Sequence, residues 1–273
     1  MQTFPFNYFA SLAGPKRLFA GRKELSWPKL FLILVFLVSF MTIPITLYYA
    51  NQVTAIPSQQ FLAVNQMMDQ AGVEQFSHLR VVNGELKGKE AIIFENQELI
   101  VGVDLPKSVQ QKSTFINFEK TQWHIQQQEN GQTRSYTMNY GPSFTPAMSQ
   151  TPQEFEQFLE EQFYLSNRPV IILSYSLSLG FILLVMTIMI LFGASLFLWM
   201  TRKSRFSSIQ TFKESANLML NVLGVGSILA AVVGFVHFDL ILMLGIQSTV
   251  AVLLLLWIFA KTGFKDERQV AEA

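Results

Sequence analysis

The chain has no cysteine and only three histidines, His78, His124 and His237, among 273 residues. Without cysteine, neither a disulfide framework nor a thiolate metal site can form. Three scattered imidazoles are too few for a metal cluster, so no metal and no cofactor is expected. Charge is also scarce. Only 14% of the residues are charged, against about a quarter in an average soluble domain, while half are hydrophobic and the mean hydropathy is +0.31. The zinc-protease His-Glu pattern, the phosphate-binding loop, the Gly-x-Ser-x-Gly elbow and the calcium loop are all missing. No catalytic residue can be singled out, and no nucleic-acid partner is expected.

The chain has long apolar runs instead. About 20 apolar residues cross a hydrocarbon layer of about 30 Å, and four stretches qualify: residues 30–50, 169–200, 215–238 and 240–260. The second is 32 residues without a charge, about 48 Å as one helix, so its first turns are expected to project outward. The last two are separated only by residues around His237, Phe238 and Asp239, which predicts a tight antiparallel hairpin. The first run has a competing reading as a cleaved signal peptide, with Val53 and Ala55 as a small-residue site. Its length and the 29 residues before it exceed the usual signal pattern and favour an uncleaved anchor.

Lys and Arg near the helix ends set the orientation. Lys16, Arg17, Arg22, Lys23 and Lys29 precede the first run, with Glu24 as the one acid. Arg202, Lys203, Arg205 and Lys213 lie between the second and third runs, and Lys261, Lys265 and Arg268 follow the fourth. Residues 51–168 read the other way, with eight basic and thirteen acidic residues. The expected order is a cytoplasmic segment at 1–29, a span at 30–50, an extracytoplasmic domain at 51–168, a long span at 169–200 and a cytoplasmic loop at 201–214. Spans at 215–238 and 240–260 and a cytoplasmic tail at 261–273 complete it. The predicted fold class is an α-helical integral membrane protein with four transmembrane helices and a small α+β extracytoplasmic domain inserted between helices 1 and 2. It is placed in the plasma (inner) membrane with both termini cytoplasmic.

Within the inserted domain, Ser58 reads as the cap of a helix over 59–70. Strands are expected at 78–82 and 85–87 around Asn83-Gly84, a pair suited to a tight turn in which both central residues need positive φ. Further strands are expected at 90–94, 98–103, 114–118 and 122–127, and Asn130-Gly131 predicts a second hairpin leading to 133–140. Thr151, Pro152 and Glu154 have the form of a helix start. The helix over 152–164 places Phe155, Phe158, Leu159 and Gln162 or Phe163 on one face.

Candidate chemistry is thin. The carboxylates of this domain are dispersed like a solvated face, and His124 reads as a surface or cross-strand residue. Ionisable residues inside spans mark functional sites by default; these runs hold none at depth, which argues against an ion-coupled transporter. His237 and Asp239 fall in the outer turn. Gly226, Ala230 and Gly234 repeat every four residues, near Gly224 and Ala231, and permit close approach by a helix of this chain or of a partner subunit. Pro44 is expected to kink the first span or end its regular part. The aromatic N-terminus (Phe4, Phe6, Tyr8, Phe9) with its following basic residues reads equally as an interfacial helix on anionic lipid or as a disordered lead. Residues 208–220 are expected to run along the inner surface.

Three segments carry a family resemblance. They are the opening Phe9-Ala10-Ser11-Leu12-Ala13-Gly14-Pro15-Lys16-Arg17, the Asn83-Gly84-Glu85-Leu86 turn, and Phe212-Lys213-Glu214-Ser215 before the closing hairpin. With the arrangement of spans, the chain resembles the family of low-GC Gram-positive membrane proteins that includes the maltodextrin-utilization proteins of the MalA and YvdJ type. The likeness covers essentially the whole chain, in architecture more than in sharp motifs. The membrane part is also similar to the Yip1 group. The resemblance implies an accessory role beside maltose and maltodextrin transport and supplies no catalytic residues.

The leading expectation is a non-enzymatic accessory or regulatory protein in the lipid bilayer. It would contact the membrane subunits of a carbohydrate ABC transporter, or assemble as a homo-oligomer. The second is a sensor whose outer domain binds a ligand or cell-wall component, which predicts a concave pocket lined by residues such as Trp123, Tyr136, Tyr140 or Phe144. A membrane enzyme or small transporter comes third; it would need Asn217, Asn221, Ser174, Ser176 and Ser178 to converge.

Overall fold

In the computed structural model, residues 4–110, 114–129, 132–203 and 207–266 are described. Helices α1 (Phe6–Ser11), α2 (Pro15–Ala20), α3 (Trp27–Asn51) and α4 (Gln70–Ser77) come first. Strands β1 (Arg80–Val82), β2 (Glu85–Lys87), β3 (Ala91–Glu95) and β4 (Ile100–Val103) follow, then the short helix α5 (Lys107–Gln110). Next are β5 (Phe115–Phe118), β6 (Gln122–Glu129) and β7 (Gln132–Asn139), and last the helices α6 (Pro152–Met200), α7 (Phe212–Val236) and α8 (Leu240–Thr262). The chain divides into a helical unit, Met1–Ala50 with Ile172–Ala273, and a sheet unit, Asn51–Ile171.

Four helices, α3, α6, α7 and α8, are long and apolar enough to cross a membrane, which is compatible with a multi-pass membrane protein. A helix at 152–164 and a separate run from 169 were expected; instead one helix of 49 residues passes through Pro169. Its start follows the sequence signal. The Thr151 hydroxyl accepts from the Glu154 N–H (3.2 Å), and the Glu154 carboxylate accepts from the Thr151 and Gln150 N–H groups (3.1 and 2.8 Å), a reciprocal cap. The division between the two units falls within this helix.

In the helical unit, α7 is buried along most of its length. It carries the small residues, which make poor contacts with lipid but let backbones approach. The other three helices present Leu, Ile and Phe outward, including Phe181, Phe197, Ile241 and Leu256, a surface suited to hydrocarbon rather than water. The helix α7 begins at Phe212, where Thr211 and Glu214 cap each other. Residues 212–220 are therefore its first turns, with 215–220 buried, and do not lie along a surface as expected. Nor does Pro44 end α3, which continues to Asn51 with the proline ring against Gly234.

In the sheet unit, five strands are ordered β3-β4-β5-β6-β7, parallel between β4 and β5 and antiparallel elsewhere. Both central strands, β4 and β5, are buried on both faces. One face of the unit holds Phe76 of α4 against Phe118 and Phe155, and Phe144 against Phe158. The other is covered by the α5 crossover, whose Val109 packs on Ile100, Leu105 and Phe115. The strands β1 and β2 form a separate hairpin in which Asn83 and Gly84 take φ of 52° and 76°, as the turn type requires. The second predicted turn, Asn130-Gly131, lies outside the described residues. The helix expected over 59–70 is absent: residues 58–60 form a 3₁₀ turn and α4 starts at Gln70. The reason is local. Ser58 gives its N–H and hydroxyl to Glu160 and Glu156 (2.6 Å each), while Asp69 caps α4 by accepting from the Gly72 N–H (2.8 Å).

Candidate functional site

The three repeated small residues of α7 are occupied within the chain. A side chain at Gly226 would meet the Gln247 carbonyl oxygen of α8 at 2.5 Å, and one at Gly234 would meet the Met243 sulfur at 2.8 Å and the Pro44 ring at 3.1 Å. Ala230 is fully buried between them. One residue beyond Gly226, Ser227 accepts from the Gln247 side-chain amide (2.8 Å), which also lies 3.4 Å from the Thr187 hydroxyl of α6. A glutamine, a serine and a threonine thus tie three helices at a fully buried point, where an unpaired amide would be costly. The sequence reading missed this junction. Its one signal was Gln247, isolated in an otherwise apolar run.

Asn217 and Asn221, candidates for a transport or catalytic site, are instead engaged with the N-terminal segment. Asn221 donates to the Leu18 carbonyl (3.1 Å), and Asn217 donates to those of Arg22 and Leu25 (2.9 and 3.0 Å). The Tyr8 hydroxyl donates to Leu220 O (3.2 Å) and lies against Gly224, which Leu37 also approaches. Gly224 is twelve residues along α7 and Leu37 ten along α3, about 18 and 15 Å from the helix starts. The pair α1 and α2 is therefore a helical hairpin packed against α7 and α8. It turns at Gly14, whose φ of +127° only glycine adopts readily, and Pro15 opens α2. Buried backbone carbonyls need partners, and the two asparagines supply them here. The segment is helical and docked on the bundle, so of the two expectations it is not a disordered lead, while Phe6 and Phe9 of α1 remain on the surface. Of the three serines named with the asparagines, Ser176 bonds Thr46 (2.9 Å) across α3 and α6, while Ser174 and Ser178 face outward. The five side chains do not converge.

Arg22, only 1% exposed, closes the base of the hairpin. Its guanidinium donates to Phe19 O (3.0 Å), stacks over the Phe19 ring (3.8 Å) and pairs with Asp266 (2.6 Å). Lys23 joins the same carboxylate (3.0 Å). Phe19 stacks on Phe264, and Asp266 donates its N–H to the Ser208 hydroxyl (3.0 Å). Partial burial works to raise the Asp266 carboxyl, but the hydrogen bonds and charges of Arg22 and Lys23 outweigh it and hold it below the usual aspartate value. The N-terminal hairpin, the segment before α7 and the tail after α8 are thus fastened together. No local pattern announces this, since the pair is separated by 244 residues.

In the sheet unit the aromatic pocket expected of a sensor is not formed. Trp123, Tyr140 and Phe144 are buried in the core, in contact with Phe118 and one another. Tyr136 is half-buried edge-on against Phe163. Driving these rings into the core removes far more apolar surface from water than a platform would. Tyr140 donates to Glu119 O (2.6 Å); burial and the charges of Asp104 and Glu119 push its hydroxyl above the ordinary tyrosine value. His124 lies on β6, within reach of the Thr137 hydroxyl (2.9 Å) across the strand and of Glu119 (3.2 Å). Hydroxyl, imidazole and carboxylate are thus in line, but on the open sheet surface, away from the groove described next. Asp239 caps α8 by accepting from the Leu242 N–H (2.8 Å), and His237 ends α7. No group of three or more His, Asp or Glu among the described residues could hold a metal ion.

A polar groove of about 560 Å³ opens at one end of the sheet, where the β3–β4 turn meets the start of β5 and the end of β6. Its walls include Glu95, Asn96, Gln97, Thr114, Gln127 and Gln128. Sequence reasoning did not single out any of them.

No protein-family model matches the chain, and no solved structure matches it. Two relatives do. The maltodextrose utilization protein MalA of Streptococcus pneumoniae is 28% identical, over 97% of this chain and 98% of that protein. YvdJ of Bacillus subtilis, named provisionally as a maltodextrin utilization protein, is 22% identical over 94% of this chain and 90% of its own length. Over nearly its whole length, then, the chain is similar to proteins of the MalA and YvdJ type.

Proposed function

We propose that this protein is a non-enzymatic accessory or regulatory membrane protein of maltodextrin utilization, acting beside a carbohydrate ABC importer in the plasma membrane. The observation that carries the reading is the end-to-end relationship to two proteins named for maltodextrin utilization. The state of the polar groups in the bundle supports a contact role over transport or catalysis. Gln247, Ser227 and Thr187 bind each other, and Asn217 and Asn221 bind the N-terminal hairpin, which leaves no cluster of these groups around a substrate path. The distribution of Lys and Arg supports cytoplasmic termini and an outer sheet unit. The expected Yip1 likeness of the membrane part finds no support, since no protein-family model matches the chain, and the reading does not use it.

The test is gentle purification from the native membrane through a C-terminal tag, followed by mass spectrometry. Stoichiometric importer subunits are the expected result; recovery of the protein alone, under conditions that keep the importer itself intact, sinks the stable-subunit reading. Replacements at Gly226 or Gly234 are poor probes of that contact, because both face neighbours in their own chain.

A further inference from the structure

The polar groove has the composition of a site for a neutral polyhydroxyl compound. Among the described residues its lining has no Lys, Arg, His or aromatic side chain, and of its two carboxylates, Glu95 and Glu98, the second is engaged by Asn65, so neither an anion nor a flat ring finds a natural partner there. Amides dominate, and each amide both donates and accepts, as sugar hydroxyls do.

The register of β6 gives an independent reason to look here. Trp123, Ile125 and Gln127 occupy alternate positions, which share one face of a strand. The first two are fully buried core residues, and Gln127 is 7% exposed. A glutamine thus stands where the pattern calls for an apolar side chain, at the point where the groove opens. The rim is held in shape. The Asn96 side-chain oxygen Oδ1 accepts from the Glu98 and Leu99 N–H groups (2.8 Å each), and the Glu98 carboxylate accepts from the backbone and side-chain N–H of Asn65 (2.9 and 2.7 Å). Walls fixed in advance lower the ordering cost of binding. The volume is within the range of small-ligand sites.

We propose that this groove binds a short neutral oligosaccharide of the α-glucan class, with Gln127, Gln97 and Gln128 as hydrogen-bonding groups. The choice of glucan rests on the maltodextrin reading above; the choice of a neutral polyol rests on the lining. The experiment uses the full chain in phosphatidylcholine nanodiscs, with maltotriose, cellobiose and spermidine as probes followed by saturation-transfer NMR. Saturable binding of maltotriose, stronger than that of cellobiose, is expected. It should weaken about tenfold in Gln127→Leu, the loss of one or two hydrogen bonds. The double variant Gln97→Ala/Gln128→Ala changes only exposed side chains and should weaken binding without disturbing the fold, as an unchanged circular dichroism spectrum will show. No response to maltotriose, an equal response in folded variants, or a response to spermidine alone overturns the proposal. If importer subunits still co-purify in that event, the accessory reading stands and only the groove assignment falls.

Discussion

The interior of the sheet unit is made of rings: Phe76, Phe118, Trp123, Phe144, Phe155 and Phe158 meet across strands and helices. The most buried helix of the helical unit buries glycine, alanine, serine and asparagine beside Leu218, Met219, Leu220, Val222 and Leu223. The difference follows from what each unit displaces. Folding in water gains from each apolar area removed from it, so large side chains go inside. Between helices in hydrocarbon that gain is absent, and association rests on close backbone approach and internal hydrogen bonds. The same chain therefore buries the Phe side chains of the sheet cluster while it leaves large rings such as Phe181 and Phe197 on the outer surface of the helical unit.

The largest effect is expected from emptying the ring cluster. Phe76, fully buried and in contact with Phe118, Phe155 and Phe158, should cost about 3–5 kcal/mol when replaced by alanine. Urea unfolding followed through Trp123 emission measures it, in a background with Trp27, Trp199 and Trp257 replaced by phenylalanine. A loss below about 1 kcal/mol would break the comparison from the aqueous side.

Gly226→Val is the opposite manipulation in the helical unit. The added side chain meets the Gln247 backbone, which cannot swing away as a flexible side chain could. A cost of about 1–3 kcal/mol is expected, read as a lower midpoint in an SDS titration. An unchanged midpoint would mean that α7 and α8 do not need their close approach. Asn217→Leu keeps the volume and removes two hydrogen bonds to hairpin carbonyls. A loss of about 1–2 kcal/mol, with faster amide exchange confined to residues 14–25, would sharpen the point that polar pairing holds the hairpin.

These two sites also show what sequence reading reaches. The spans, the Asn83-Gly84 turn, the Thr151–Glu154 helix start and most strands are carried by local patterns, because periodicity and caps act over a few residues. The α7 small residues were visible as a repeat, yet whether they faced inside or a partner depended on Gln247 and Met243, which are distant in sequence. The hairpin was invisible because its opening residues look interfacial until Asn217 and Asn221, about 200 positions away, meet its carbonyls. The aromatic residues misled for a different reason. A ring suits a core or a binding platform equally well as a residue type, and only the sheet register puts Trp123 inside.

The smallest effect, and the most selective, belongs to Asp266. Its folded carboxyl is held below the usual aspartate value by Arg22 and Lys23, against partial burial, so its stabilisation is present above the unfolded value near 4 and is lost as pH falls through the lower folded value. Between pH 7 and 5 the pair should therefore contribute a constant amount, and acidification below about 4 should release it. Asp266 is 39% exposed, so screening limits the contribution to about 1 kcal/mol, although the buried Arg22 loses its only carboxylate partner among the described residues. In Asp266→Asn the SDS midpoint at pH 7 should fall by that amount, and the part of the acid-induced loss that belongs to this pair should vanish, with little change in the Trp123 signal of the sheet unit in the same single-tryptophan background. An equal loss in both units would mean that the fastening does not belong to the helical unit alone, and the contrast between rings in one and backbone contacts in the other would need a shared element to explain it.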